Sequence, residues 1–175
     1  VNLAGYVPIA VKGNENGFQG YNLVTIVRKD SGINTMDDLK GKRVAHTSAS
    51  SNSGNLAPRA LFPNKGIVPD KDYKVLYSGK HDQSILGVFN GDYDAAPVAS
   101  DVYDRMVAAG RVDENELKII YRSPRFPTSA FGYSHDLNPE LVEKIKEAFS
   151  TYRFTPEMSA TFKGADRFAP ITYKE

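Results

Sequence analysis

The sequence predicts an α/β protein of two lobes, one of them a mostly parallel sheet with helices on its faces. Three observations carry that expectation. Between Arg43 and Arg122 apolar strand-like runs alternate with amphipathic helical ones, the order a parallel sheet requires because each return crossing needs a helix. Hydrophobic residues make up 41% of the chain and charged residues 25%, a globular profile with enough apolar surface for a core. The flanking segments, 1–41 and 125–175, break the alternation and read as parts of the other lobe. The expected layout is therefore 1–41 in lobe 1, 42–124 as a complete lobe 2, and 125–175 returning to lobe 1 with C-terminal helices. "LKGK" and "RSPRFP" are the expected crossings, the two-passage arrangement of a hinged pair,.

Each element has a local reason. "YNLVTIVRKDSG" holds an apolar strand over 22–28, ended by a charged turn,. "NTMDDLKGKRVAHT" supplies a short capped helical turn, a stop at Gly41 and a strand over 43–47,. A hydroxyl-rich stretch follows, then a helix reaching Phe62, with Pro58 predicting a kink or a delayed start,. "DYKVLYSG" reads as a strand, and "HDQSILGVFNG" as a helix with Gly91 past its end,. "DYDAAPVAS" and "LKIIYRS" are strands flanking the helix "DVYDRMVAAG". "SAFGYSHDL" is a half-apolar strand. "NPELVEKIKEAFSTY" is a helix capped by Asn138, with Pro139 at its first position,. Its expected buried stripe is Leu141, Val142, Ile145, Ala148, Phe149 and Tyr152,.

Composition narrows the function classes. Net charge is +1, from 22 basic and 21 acidic residues, so no long-range field favours nucleic acid or an anionic membrane. An anion would have to be held by local geometry instead. No apolar run approaches the roughly 18 residues of a membrane span. The chain has no cysteine, which excludes disulfide and thiol chemistry and fits a cytosolic or periplasmic setting,. His46, His81 and His135 lack metal-site spacing, and no cofactor is expected,. The opening "VNLAGYVP" reads as the middle of a fold, so an upstream segment is expected,.

In open parallel sheets ligands bind beyond the carboxyl ends of the strands. Three groups fall at such ends here: Ser51-Asn52-Ser53-Gly54, then Ser78-Gly79-Lys80-His81-Asp82, then Ser100-Asp101. The first is unusual. One helix cap needs one hydroxyl or amide residue, and residues 48–54 supply five. Helix-start N–H groups with added Ser and Asn donors make a cradle for a tetrahedral oxyanion. An ordinary cap is the plain alternative. His81 is placed to donate to the same anion, with a surface helix-capping histidine as its plain reading. Lys80 reads as a solvated side chain. A carboxylate such as Asp101 facing an oxyanion requires a proton between them, so it would select a protonated ligand oxygen. Its plain reading is a helix cap.

At these residues the sequence becomes familiar. "SNSG" followed by "LAPRALF", then "VLYSGKHDQSILGVFNGDYDAAPVASD", then "SPRFPTSAF", resemble the phosphate/phosphite/phosphonate substrate-binding proteins of bacterial ABC transporters. That family typically reads Ser-Thr-Ser-Gly before a Pro-containing helix, then Ser-Gly-x-His-Asp, then Gly-x-x-Asp-Ala. The likeness covers nearly the whole chain, starting partway through the family's first lobe. It implies a type II periplasmic-binding fold of two hinged α/β lobes, the first incomplete in this chain. It also implies a small phosphorus oxyanion captured between the lobes and an ABC transporter permease as partner. Nucleic acid is not implied as a partner; a monomer is, in the periplasm or outside the cell, free or lipid-anchored. By position Ser51, Asn52 and Ser53 would hold the oxyanion, His81 would donate to it, Asp101 would take the acidic contact, and Tyr21 would match a first-lobe tyrosine that reaches the ligand. Asn52 replaces the usual threonine, and its amide can still donate,. Thr128 or Ser129 stands near an aspartate that serves the amine of aminoalkyl phosphonates in some members, which argues against a cationic ligand.

Two other readings keep some of these residues. The same fold could be the extracytoplasmic sensor of a signalling receptor. A hydrolase would use the serines with His81, but the chain has no Gly-x-Ser-x-Gly elbow,. Phe126, Phe131, Tyr133 and Phe149 read as core or hinge packing, and His135 as a surface residue,.

Overall fold

The computed structural model describes residues 5–172. In chain order the strands are β1 (Tyr6–Asn14), β2 (Gly17–Phe18), β3 (Gly20–Arg28), β4 (Arg43–His46), β5 (Lys74–Tyr77), β6 (Ala95–Ala99), β7 (Leu117–Pro127), β8 (Phe131–Ser134) and β9 (Arg167–Pro170). The helices are α1 (Ala57–Leu61), α2 (His81–Asn90), α3 (Ser100–Ala108), α4 (Pro139–Thr151) and α5 (Pro156–Thr161). The chain divides into two compact units, one of residues 21–125 and one of the segments before and after it.

In the 21–125 unit the sheet order is β5-β4-β6-β3-β7. Strand β4 pairs in parallel with β5 and with β6. Strand β3 runs against β6, in register from Leu23 opposite Ala99 to Val27 opposite Ala95. The sheet is thus mostly parallel with one reversed strand. That strand corrects an expected boundary: residues 21–41 belong with this sheet rather than with the other unit. The physical reason is burial on both faces, since Leu23, Val24, Ile26 and Val27 are wholly covered, the signature of an interior strand. The passage between units lies at residues 20 and 21 instead of in "LKGK", and the second lies at residues 125 and 126.

Helices α2 and α3 close one face of this sheet. Ile85 and Val88 of α2 and Tyr103 and Met106 of α3 meet Val24, Ile26, Ala45, Ala96 and Val98. Each large apolar side chain buried this way contributes about 1.5–3 kcal/mol. Helix α2 stops where Gly91 takes φ 85°, a left-handed geometry that folds its N–H back onto Gly87 and Val88 carbonyls,.

In the other unit β1 pairs antiparallel with β2, β8 and β9. Asn138 caps α4 by accepting from the Glu140 and Leu141 N–H groups, with Pro139 opening the helix,. The expected buried stripe of α4 is only partly realised. Val142 is buried, but Leu141 is 45% and Tyr152 47% exposed, and Ala148 is exposed too. The described residues of this unit offer a small buried cluster, Val11, Ala169 and Ile171. Phe131, Phe149, Phe154 and Phe168 pack ring against ring beside it, which bears out packing roles for Phe131 and Phe149. An open cavity of about 490 Å3, lined by Val7, Ile9, Tyr133, Phe149, Phe168 and Ile171, remains next to the helix.

This difference along one helix is measurable. Val142→Ala should lower unfolding free energy by about 1–2 kcal/mol through lost burial, whereas Leu141→Gln should change it by less than about 0.5 kcal/mol. Urea denaturation of the two variants checks the contrast, and equal losses would contradict the exposed placement of Leu141.

Candidate functional site

Strands β4, β5 and β6 run the same way, so the segments after them emerge at one edge of the sheet. After β4 the chain makes a single π-helical turn, Asn52–Leu56, before α1 begins. Pro58 sits at the start of α1, where its missing N–H has no intrahelical use,. The expected delayed start is therefore what the chain adopts. Ser51 caps the turn: its Oγ accepts from Gly54 N–H, and its carbonyl accepts from the Asn55 and Leu56 N–H groups. The N–H groups of Asn52 and Ser53 have no intrahelical acceptor and no partner among the described residues,. Gly54 is required here for close approach, because a Cβ would overlap the Thr47 side chain.

The six expected site residues all lie at or beside this edge. Ser51 is half-buried and Ser53 is 1% exposed; the Ser53 hydroxyl has no partner among the described residues. Asn52 is exposed, and its Nδ2 donates to the Tyr21 hydroxyl at 3.2 Å. Tyr21 arrives because β3 is reversed, which puts its first residues opposite the last of β6. His81 opens α2, and its Nδ1 accepts from the Ala99 N–H at 3.2 Å. That bond assigns the neutral ring's proton to Nε2, which is left as a donor. Burial lowers the His81 pKa, opposed in part by the charges of Asp101 and Asp82. Asp101 stands in the first turn of α3.

Other sequence candidates are used internally. The Ser78 hydroxyl meets Ser84 Oγ at 2.5 Å, and the Ser78 and Gly79 N–H groups donate to His46 and Thr47 carbonyls. Ser100 Oγ accepts from the Asn22 N–H, fastening β3 to the start of α3. Lys80 and His135 are exposed.

Beneath the turn lies a buried polar cluster that sequence reasoning passed over. Asn55 Oδ1 accepts from Arg59 Nε at 3.0 Å and lies 2.8 Å from His46 Nδ1. Arg Nε–H can only donate, so this oxygen is fixed as the acceptor, and His46 Nδ1 must carry the proton. His46 Nε2, 2.9 Å from the Tyr73 hydroxyl, is then the acceptor of that O–H. Asn55 Nδ2 donates to the Ala49 carbonyl at 2.8 Å, and Arg59 pairs with Asp70 at 2.8 Å. The signal was present as the four-residue spacing of Asn55 and Arg59 on one helical face.

His46 is fully buried. Burial lowers its pKa from 6.5 to about 4, so the folded protein holds it neutral. The unfolded chain takes up a proton first as pH falls, so His46 contributes stability that is complete above pH 6.5 and lost toward pH 4. His81 acts with the same sign. The loss from His46 alone is about 3 kcal/mol. Urea midpoints should fall steadily from pH 7 to pH 4, and an unchanged midpoint across that interval would contradict a buried neutral His46.

A family model described as "ABC transporter, phosphonate, periplasmic substrate-binding protein" matches residues 1–175. The chain belongs to this family. The phosphate-import protein PhnD of Mycolicibacterium smegmatis is 32% identical over 160 residues, covering 86% of this chain and 50% of that protein. The phosphonates-binding periplasmic protein of Escherichia coli is 31% identical over 152 residues, covering 85% of this chain and 45% of that one. The chain thus spans about half the length of these curated relatives. Among solved structures, PhnD1 of Prochlorococcus marinus in complex with methylphosphonate has a TM-score of 0.72 at 20% identity, over 97% of this chain and 67% of that one. A binding-protein component of an ABC phosphonate transporter from Pseudomonas aeruginosa has a TM-score of 0.73 at 23% identity, over 98% and 59%. These likenesses establish the expected type II periplasmic-binding fold.

Proposed function

We propose that the protein is the extracytoplasmic solute-binding component of an ABC importer, capturing a small phosphorus oxyanion and presenting it to the transporter permease. The ligand is a phosphonate, phosphite or phosphate. The observation that carries the reading is the edge of the 21–125 sheet. There, among the described residues, the Asn52 and Ser53 N–H groups and the Ser53 hydroxyl have no partner, at the same sheet edge that carries His81, Asp101 and Tyr21. Unpartnered donors at the start of a helical turn suit an anion, and no charged lysine or arginine is needed. The names of the curated relatives, a phosphate importer and a phosphonates-binding protein, point to the same ligand chemistry.

In this reading Ser51 shapes the turn, Asn52 and Ser53 donate to ligand oxygens, and His81 Nε2–H donates a further hydrogen bond. Because His81 binds as a neutral donor, the acidic contact supplied by Asp101 is not offset by an imidazolium. Asp101 then accepts from a protonated ligand oxygen, which monoprotonated phosphate or phosphonate supplies and sulfate does not. No bond is made or broken. Among the described residues no serine of the cluster is hydrogen-bonded to a histidine, the contact a serine nucleophile needs for activation,. Binding energy stabilises one conformation over another, and the permease responds to that shift.

Isothermal titration with phosphate, phosphite, methylphosphonate and sulfate tests this. At least one phosphorus species should bind, with sulfate much weaker. The double substitution Ser51→Ala, Ser53→Ala should weaken binding at least tenfold, since hydrogen bonds to a charged partner contribute about 1.5–3 kcal/mol each. Affinity unchanged in the double variant would remove the turn as the anion site. Sulfate bound as tightly as phosphate would remove the proton-selective role of Asp101.

A further inference from the structure

The turn that presents Ser51, Asn52 and Ser53 is anchored from behind by a side chain to which ligand capture assigns nothing. We propose that Asn55, oriented by His46, is a positioning residue for the oxyanion turn: it sets where the donors stand without touching the ligand. This rests on the reading of the turn as the anion site.

Asn55 is 3% exposed. Its oxygen accepts from His46 Nδ1–H and Arg59 Nε–H, with the Tyr77 hydroxyl a longer third donor at 3.5 Å. Its amide nitrogen reaches six residues back to the Ala49 carbonyl, and its own N–H donates to the Ser51 carbonyl. One residue therefore grips the hydroxyl-rich segment at two points on either side of Ser50. The grip is directional. Arg59 is itself fixed by Asp70, and His46 is fixed by Tyr73 on its far nitrogen, so turning the Asn55 amide over would set its NH2 group against two N–H donors,. A π-helical turn is rarely stable unaided, and this bracing supplies the support. Among the described residues the Asn52 and Ser53 N–H groups have no partner, so their position is set by the backbone of the turn, and the Asn55 contacts hold that backbone.

The test compares affinity with stability. Asn55→Ser is too short to span His46 and Ala49. Methylphosphonate and phosphate titrations at 25 °C, where the variant is still folded, should show affinity reduced at least tenfold. Hydrogen exchange in the unliganded protein should accelerate at the Gly54, Asn55 and Leu56 amides and stay unchanged in β6. Val112→Ala, a core truncation remote from the turn, calibrates a purely structural loss: it should lower the melting temperature with affinity within twofold of the parent. Parent and Asn55→Ser binding with equal affinity would overturn the positioning role and leave the ligand reading standing. If the parent binds neither probe nor phosphite, the ligand reading fails; exchange then decides, with local acceleration supporting the anchor and no change overturning it. Should Asn55→Ser not fold, His46→Gln, unable to bridge Asn55 and Tyr73 at once, should lower affinity at least threefold, and unchanged affinity there would likewise overturn the proposal.

Discussion

Strands β4, β5 and β6 point the same way, and three separate stretches of chain are thereby obliged to begin their next element at one edge of the sheet. Parallel pairing leaves no choice in this: each return must pass over a face, and each departure leaves from the carboxyl end. Helical starts collect there with their unpaired N–H groups. Reversal of β3 completes the edge from the opposite sense, because an antiparallel neighbour brings its first residues, Tyr21 and Asn22, to where its partner's last residues stand. The gathering of these starts at one edge is a consequence of strand direction before it is a consequence of any single side chain.

Beneath that edge the polar side chains form a chain of obligatory roles. A guanidinium N–H has one possible role, and from it the orientation of the Asn55 amide, the tautomer of His46 and the direction of the Tyr73 O–H follow in turn,. Such a cluster, with His46, Asn55 and Tyr73 buried and hydrogen-bonded, specifies one arrangement more sharply than apolar packing would,. Its position under the π-turn explains how an irregular piece of backbone keeps a single shape.

Much of this was legible in the residues. Alternating apolar runs gave the strands and helices of the 21–125 unit, Pro58 marked where α1 starts, and Asn138-Pro139 marked where α4 starts. The clustering of Ser51, Asn52 and Ser53, with His81 and Asp101 after later strands, could be read because each sits at a strand end where ligands collect. What could not be read depended on contacts distant in sequence. Nothing local says that β3 inserts between β6 and β7, so the unit boundary was expected some twenty residues too late. The roles of His46 and Asn55 were hidden for the same reason, since Tyr73 reaches His46, and Asp70 reaches the Arg59 that holds Asn55, from a loop beyond α1. The periodicity of α4 identified the helix correctly but could not tell whether its apolar stripe finds enough surface to cover it.

That partial covering of α4 bears on how the two units should differ in heat capacity on melting. The heat-capacity step of melting grows with the apolar area newly wetted. Leu141, Tyr152 and Phe131 are already substantially wet before melting, so this unit has less to expose. Its heat-capacity step on melting should accordingly be the smaller one, and that of the 21–125 unit, with its more extensive buried cluster, the larger,.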